Sequence, residues 1–270
     1  MKKLFGLLTV VALGLVLGAC SNQQKENSTK SGADKKEVVV GLDDTFVPMG
    51  FKDDNGKIVG FDVDLAKAVF ELTDQKVKFQ PIDWSMKETE LKNGTIDMIW
   101  NGYSITPQRQ KNVTFTDTYM KNTQVLVVPK SSGIEKASQM KGKILGAQEG
   151  SSGYDTFTKQ PEVLKDIVKD GDATLYASFN EAFIDLESKR IDGLLIDKVY
   201  AEYYLTKANK LADYTIIELP FDSEDFSVGV RKDDQKLAKQ INAGFKKLQE
   251  NGQFKEISEK WFGQDVTPSK

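Results

Sequence analysis

Two ionisable residues stand where strands should give way to loops. Asp197 follows Gly193-Leu194-Leu195-Ile196, an apolar run that reads as a buried strand, so its carboxylate should emerge at the strand's carboxyl end. Arg109 lies eight residues beyond Asn101, in a loop that also carries the hydroxyls of Ser104 and Thr106. A planar guanidinium pairs bidentately with a carboxylate, and an aspartate at a strand end can accept a cation. Each has a plainer reading: a solvated surface arginine, and an N-cap for a helix over Val199 to Leu205. Gly150-Ser151-Ser152-Gly153 follows a strand over Ile144 to Ala147 and opens a helix. Free N–H groups at a helix start attract anions, although a serine there also serves as an ordinary cap.

What is missing narrows the chemistry further. The 270 residues include no histidine and one cysteine, Cys20. A Ser-His-Asp triad, a Cys-His dyad, histidine-ligated zinc and an internal disulfide are therefore excluded. No GxxxxGK[ST] loop occurs, and nothing calls for a cofactor. Lys and Arg number 37 against 40 Asp and Glu, a balance that argues against a nucleic-acid partner.

The elements that must hold these residues alternate. Strands are expected at Val38 to Leu42, Val77 to Phe79, Ile96 to Trp100, Val125 to Val128, Lys143 to Ala147, Ala173 to Tyr176, Ile191 to Ile196 and Phe226 to Val230. Helices are expected at Phe61 to Leu72, Ser85 to Asn93 (with Met86 and Leu91 inward), from Gly153 onward, and at Asn180 to Ser188, Asp234 to Asn251 and Phe254 to Phe262. This is an α/β pattern. One unit appears twice: Glu90 to Asp97 and Asp185 to Asp192 each read as helix end, polar turn and Ile-Asp opening a strand. Two lobes of one construction would each aim polar residues from the carboxyl edge of a sheet, where open α/β sheets take ligands.

The N-terminus reads as an address. Lys2 and Lys3 precede an apolar run from Leu4 to Leu17, too short for a comfortable membrane span, and small residues lead to Cys20. Residues 1–19 are expected to be a signal peptide. Residues 21–36 hold one apolar residue, Ala33, and read as a flexible tether. Leu17-Gly18-Ala19-Cys20 resembles the lipobox of bacterial lipoproteins, which implies lipidation of Cys20 and anchoring at the outer face of the cell membrane.

Six stretches in order resemble the polar amino-acid family of bacterial solute-binding proteins, the capture subunits of ABC importers. They are Asp43 to Phe51, Gly60-Phe61-Asp62-Val63-Asp64-Leu65-Ala66, Leu91 to Arg109, Phe115 to Tyr119, Ile191 to Asp197 and Lys260-Trp261-Phe262-Gly263. Around Phe46-Val47-Pro48 the glutamine-binding members look most similar. The resemblance implies the type II two-lobed periplasmic-binding-protein fold, with two mixed sheets flanked by helices and joined by a two-stranded hinge. Lobe one would take residues 37–122 and 223–270, and lobe two residues 123–222. The crossings are placed at Val125 to Val128 and around Pro220 to Phe226.

A free amino acid at neutral pH needs a fixed cation for its carboxylate and a fixed anion for its ammonium. The resemblance gives these tasks to Arg109 and Asp197, with Gly102, Ser104, Ser151 and Ser152 adding hydrogen bonds. It places Phe46 and Trp84 as aromatic walls around the ligand side chain and Asp43 at that side chain's tip. Each could instead be structural: Phe46 as core, Trp84 packed under its turn, Asp43 as a turn acid. Trp100 is expected in the core. The implied ligand is glutamine first, then cystine or a basic amino acid. The implied partner is a membrane permease, and the protein is expected to act as a monomer without catalysis. Two other readings stay open: a sensor lipoprotein that binds amino acids without transport, and a dehydratase-like enzyme on the same fold using Asp43, Glu88 and Asp197.

Overall fold

The structure, a computed structural model, describes residues 30–268. The signal segment and Cys20 lie outside the described residues.

Two five-stranded mixed sheets share one plan. The first runs Lys76–Pro81, Glu37–Leu42, Met98–Ile99, Gly229–Arg231, Val113–Phe115 in spatial order. The second runs Ala173–Tyr176, Leu145–Gln148, Gly193–Asp197, Gln124–Pro129, Tyr214–Glu218. In each, the first three strands are parallel and the fourth is antiparallel to the third. Parallel strands are joined by helices, Phe61–Glu71 and Lys87–Asn93 in the first half, Ser152–Lys159 and Phe179–Glu187 in the second.

The repeated Ile-Asp unit is a repeated hydrogen-bonding device. Asp97 donates its N–H to the Val39 carbonyl (2.8 Å) and accepts the Val39 N–H on its side chain (3.0 Å). Asp192 does the same with Ile144, at 2.8 Å both ways. An aspartate leading into the third strand thus ties it to the second strand of each sheet through one backbone residue, extending the ladder one position ahead of its first pair.

The sheets are linked by a short antiparallel pair, Met120–Asn122 with Glu224–Phe226. The second crossing falls where the sequence placed it. The first does not: Val125 to Val128 lies inside Gln124–Pro129, the fourth strand of the second sheet, with all four residues buried. A run apolar on both faces belongs to a covered strand rather than an exposed crossing. The expected late strand over Phe226 to Val230 is two strands, one in the hinge pair and one in the first sheet. Met86 is 44 % exposed and not an inner position, whereas Leu91 is buried. Trp100 is core, edge-on to Phe245 at 5.4 Å.

The end of the expected tether is not free. Ser31 and Gly32 both donate to the Asp234 carboxylate, at 2.5 and 2.8 Å, and Lys35 pairs with buried Asp97 at 2.6 Å. Gln75 donates to the carbonyls of Gly32 and Lys35. Residues 31–36 are therefore seated on the first-sheet half, with Gly32 buried against Leu237. Their polar composition hid this, because the partners are backbone groups and buried acids rather than apolar side chains.

Candidate functional site

The carboxyl edges of the two sheets face each other across a tight cavity of about 10 Å³. Asp43, Phe46, Trp84, Asn101, Gly102 and Arg109 line it from the first half, and Gln148, Ser151, Ser152 and Asp197 from the second. A larger hollow alongside the hinge, between Lys198–Lys207 and Trp261, is lined by none of the expected ligand-binding residues.

Arg109 is not a surface arginine, being 5 % exposed. Its guanidinium donates to the Ser104 carbonyl (2.9 Å) and, across the cleft, to the Gly150 carbonyl (3.1 Å). It lies over the Tyr103 ring at 4.5 Å, and its Nε faces Glu88 at 3.7 Å. Tyr103 donates its hydroxyl to the same Glu88 oxygen at 2.8 Å. A stacked ring below and a carboxylate at the side fix the plane of the fork. Glu88 thus holds the arginine, and it does not line the cavity. Lys87 is buried beside it and donates to the Gly150 carbonyl at 2.9 Å. Burial, then the Arg109 charge, pushes the Lys87 ammonium down to about 8.

Asp197 occupies the N-cap position of the helix Lys198–Lys207, but its side chain caps nothing. The carboxylate instead accepts from Asn122 (2.6 Å) and Gln124 (2.9 Å). Burial, then the Glu224 charge, pushes it up to about 8, against the Gln124 amide and the Arg109 charge. An ionised Asp197 in this position calls for a cation. Ser151 is the N-cap of Ser152–Lys159, accepting from Tyr154, so its hydroxyl serves the helix. Ser152 keeps its hydroxyl toward Glu224 at 2.8 Å. Ser104 stands outside the lining, its hydroxyl 3.1 Å from that of Ser152 and 2.6 Å from Glu224.

At the other end, Asp43 bonds the N–H and hydroxyl of Thr45 and, across the cleft, accepts from Gln148 at 2.8 Å. It is both a turn acid and a cavity wall, and burial raises its carboxyl above the usual range. Phe46 and Trp84 line the cavity as well as packing. Phe46 lies 5.8 Å from Phe179 and 5.6 Å from Tyr200, both in the second half.

Several residues support the site from around it. Asp62 lies on the buried face of Phe61–Glu71 and accepts the Gly102 N–H (2.7 Å) and the Tyr119 hydroxyl (2.8 Å), fixing the cavity floor. Gly102 has φ +59°, and a Cβ there would meet Phe46 at 2.7 Å. Gln148 ends the strand before the serine turn, a place from which it could have been inferred. Gln124, Asn122 and Glu224 reach the site only because the hinge pair brings them together.

The profile of the bacterial extracellular solute-binding proteins, family 3, matches residues 38–264. The chain belongs to this family. Among its relatives is the glutamine-binding ABC transporter protein GlnH of Bacillus subtilis, 31% identical over 98% of this chain and 99% of that one. A substrate-binding protein of an ABC uptake transporter from Streptococcus pneumoniae, solved with bound histidine, is 54% identical over 88% of this chain and 96% of that one, with TM-score 0.87. A polar amino acid ABC uptake transporter substrate-binding protein from Streptococcus thermophilus is also 54% identical, over 87% and 89%, with TM-score 0.56. The type II binding-protein fold of this family is the fold described above.

Proposed function

We propose that this protein is the extracytoplasmic substrate-binding subunit of an amino-acid ABC importer, held at the membrane by a lipidated Cys20, and that it hands its ligand to a permease. The observation that carries the reading is one cavity with Arg109 on one half and Asp197 on the other. A zwitterion placed there has its carboxylate toward Arg109 and the serine turn and its ammonium toward Asp197. Its side chain points to Asp43 between Phe46 and Trp84. An acid at the tip of an aromatic slot asks for a flat or extended side chain with a hydrogen-bond donor. Histidine has that shape and is the ligand bound in the Streptococcus pneumoniae relative, so it stands ahead of glutamine, the first expectation from the resemblance. Glutamine and the basic amino acids follow.

Closure is part of the reading. Contacts split between two halves favour a closed form through differential affinity. Two relatives of equal identity that superpose at 0.87 and 0.56 support a body whose halves take more than one arrangement. A thermal-shift screen of the twenty amino acids and cystine tests the function, with calorimetry on each hit. L-Histidine is expected to give the largest rise. Flat melting curves throughout would overturn the binding reading, and a strict preference for leucine would overturn the role of Asp43.

A further inference from the structure

Behind the hinge end of the cavity, one residue back from the lining residues Asp197 and Ser152, the structure gathers acceptors. One oxygen of Glu224, on the hinge strand, accepts from the hydroxyls of Ser104 (2.6 Å) and Ser152 (2.8 Å) and from the Gln124 amide (3.3 Å). The same amide nitrogen donates to Asp197 at 2.9 Å. The two carboxylate oxygens therefore lie about 6 Å apart at most, close enough for each to feel the other's charge. The other atom of that amide, Gln124 Oε1, is buried with no hydrogen-bond partner, in a residue 1 % exposed. Buried acceptors without donors are costly, and natural proteins rarely keep them. Two acids meet here, the orphaned carbonyl lying beside them against Gly153, and the protein groups bonded to the two acids are neutral hydroxyls and amides. The bonded cations of this cleft, Arg109 and Lys87, are both committed to the Gly150 carbonyl.

We infer that Glu224 is a specificity-determining residue for the cationic end of the ligand: with Asp197 it forms an acidic pair that demands an α-ammonium and rejects carboxylic acids lacking one. This rests on the amino-acid reading of the cavity. Asp197 alone could be satisfied by its two amides, as it is here. A second carboxylate nearby makes the uncharged alternative expensive, because like charges in a buried site repel unless a cation lies between them. The hinge strand is an apt place for such a residue, since Glu224 reaches Ser104 of one half and Ser152 of the other at once.

The same bonds could instead make Glu224 a mere clasp between the halves, and the test separates the two. Dissociation constants are measured by calorimetry for wild type and Glu224→Gln, with L-histidine and its des-amino analogue imidazolepropionate, and with L-glutamine and its analogue glutaramate. Glutamine at 224 keeps the shape and an accepting oxygen but not the charge. The variant is expected to weaken the amino acids tenfold or more and to leave the analogues unchanged or tighter, so that discrimination falls by at least tenfold. Equal loss for amino acid and analogue would mean a clasp, and unchanged amino-acid affinity would mean no role; either overturns the proposal. Circular dichroism checks folding. If the variant does not fold, Glu224→Asp, which withdraws the charge by one methylene, is measured in the same way and read by the same outcomes. A wild type that binds neither amino acid would instead overturn the reading beneath the proposal, an outcome visible before any variant is made.

Discussion

Arg109 and Asp197 are held by opposite means, and that decides what their removal does. Arg109 is gripped by Tyr103, Glu88 and two carbonyls, whereas Asp197 receives only two neutral amides. Replacing either by alanine leaves a ligand charge buried and unpaired, a cost of roughly 3–5 kcal/mol, or two to three orders of magnitude or more in affinity. Arg109→Lys should not recover the loss, because an ammonium lacks the bidentate fork. Calorimetry on Arg109→Ala, Arg109→Lys and Asp197→Ala, with circular dichroism to confirm folding, checks this, and a loss of tenfold or less in both alanine variants would mean that other groups hold the ligand. Asp62 has a pH signature of its own. Burial pushes its carboxyl up to about 7 from 3.8. The folded protein then holds a proton that the unfolded chain has released, so stability falls as pH rises from about 4 to about 7. Asp197, raised for the same leading reason, adds a slope of the same sign. Melting temperatures of the ligand-free protein across that window should decline, and Asp62→Asn should flatten the decline in part. Arg109 and Asp197 were singled out in the sequence by the family-like stretches that carry them, since type and position alone left each a plainer reading. Glu224 was not: in Phe221-Asp222-Ser223-Glu224-Asp225 it is one acid among three, and only strand pairing selects it.

The two halves repeat one element, and the repeat is not loaded equally. Asp97 accepts from the Val39 N–H, Lys35 and Arg231, while the side chain of Asp192 accepts only the Ile144 N–H. Asp97 is fully buried. Asp97→Ala removes the anion from a buried network and should cost about 3–5 kcal/mol. Asp192→Ala leaves one N–H unpaired and should cost about 1–3 kcal/mol. Urea denaturation of the two variants measures the difference, and equal losses would show that Lys35 and Arg231 find other partners at little expense. The sequence disclosed the repeat because helix end, turn and Ile-Asp recur in one order. It concealed the first hinge strand for the opposite reason: Met120–Asn122 is three residues with one exposed lysine between two buried side chains. So short a segment has no period to read. The neighbouring Val125 to Val128 drew the assignment because it is the more conspicuous apolar run, and conspicuous apolar runs belong to the covered middle of a sheet.

At the scale of the molecule, the cleft already carries bonds between its halves. Gln148 reaches Asp43, and Arg109 and Lys87 both reach Gly150. A ligand that adds the Arg109 to Asp197 bridge stabilises the folded form by about 2.7 kcal/mol at 100 times its dissociation constant. For a body of this length that is a rise of roughly 5–10 °C in melting temperature. Differential scanning calorimetry with L-histidine checks the size, and a rise under one degree at saturation would contradict it. Cys20→Ala should release the protein from the membrane fraction, and a variant still lipid-labelled would remove the anchor from the proposal. The seating of residues 31–36 bears on that anchor. Because Ser31, Gly32 and Lys35 are fastened to Asp234 and Asp97, an anchor at Cys20, if the proposal holds, would pull on the half built on the first sheet. On that proposal the other half would be free to swing without bearing the load, and tension from the membrane would do no work on closure.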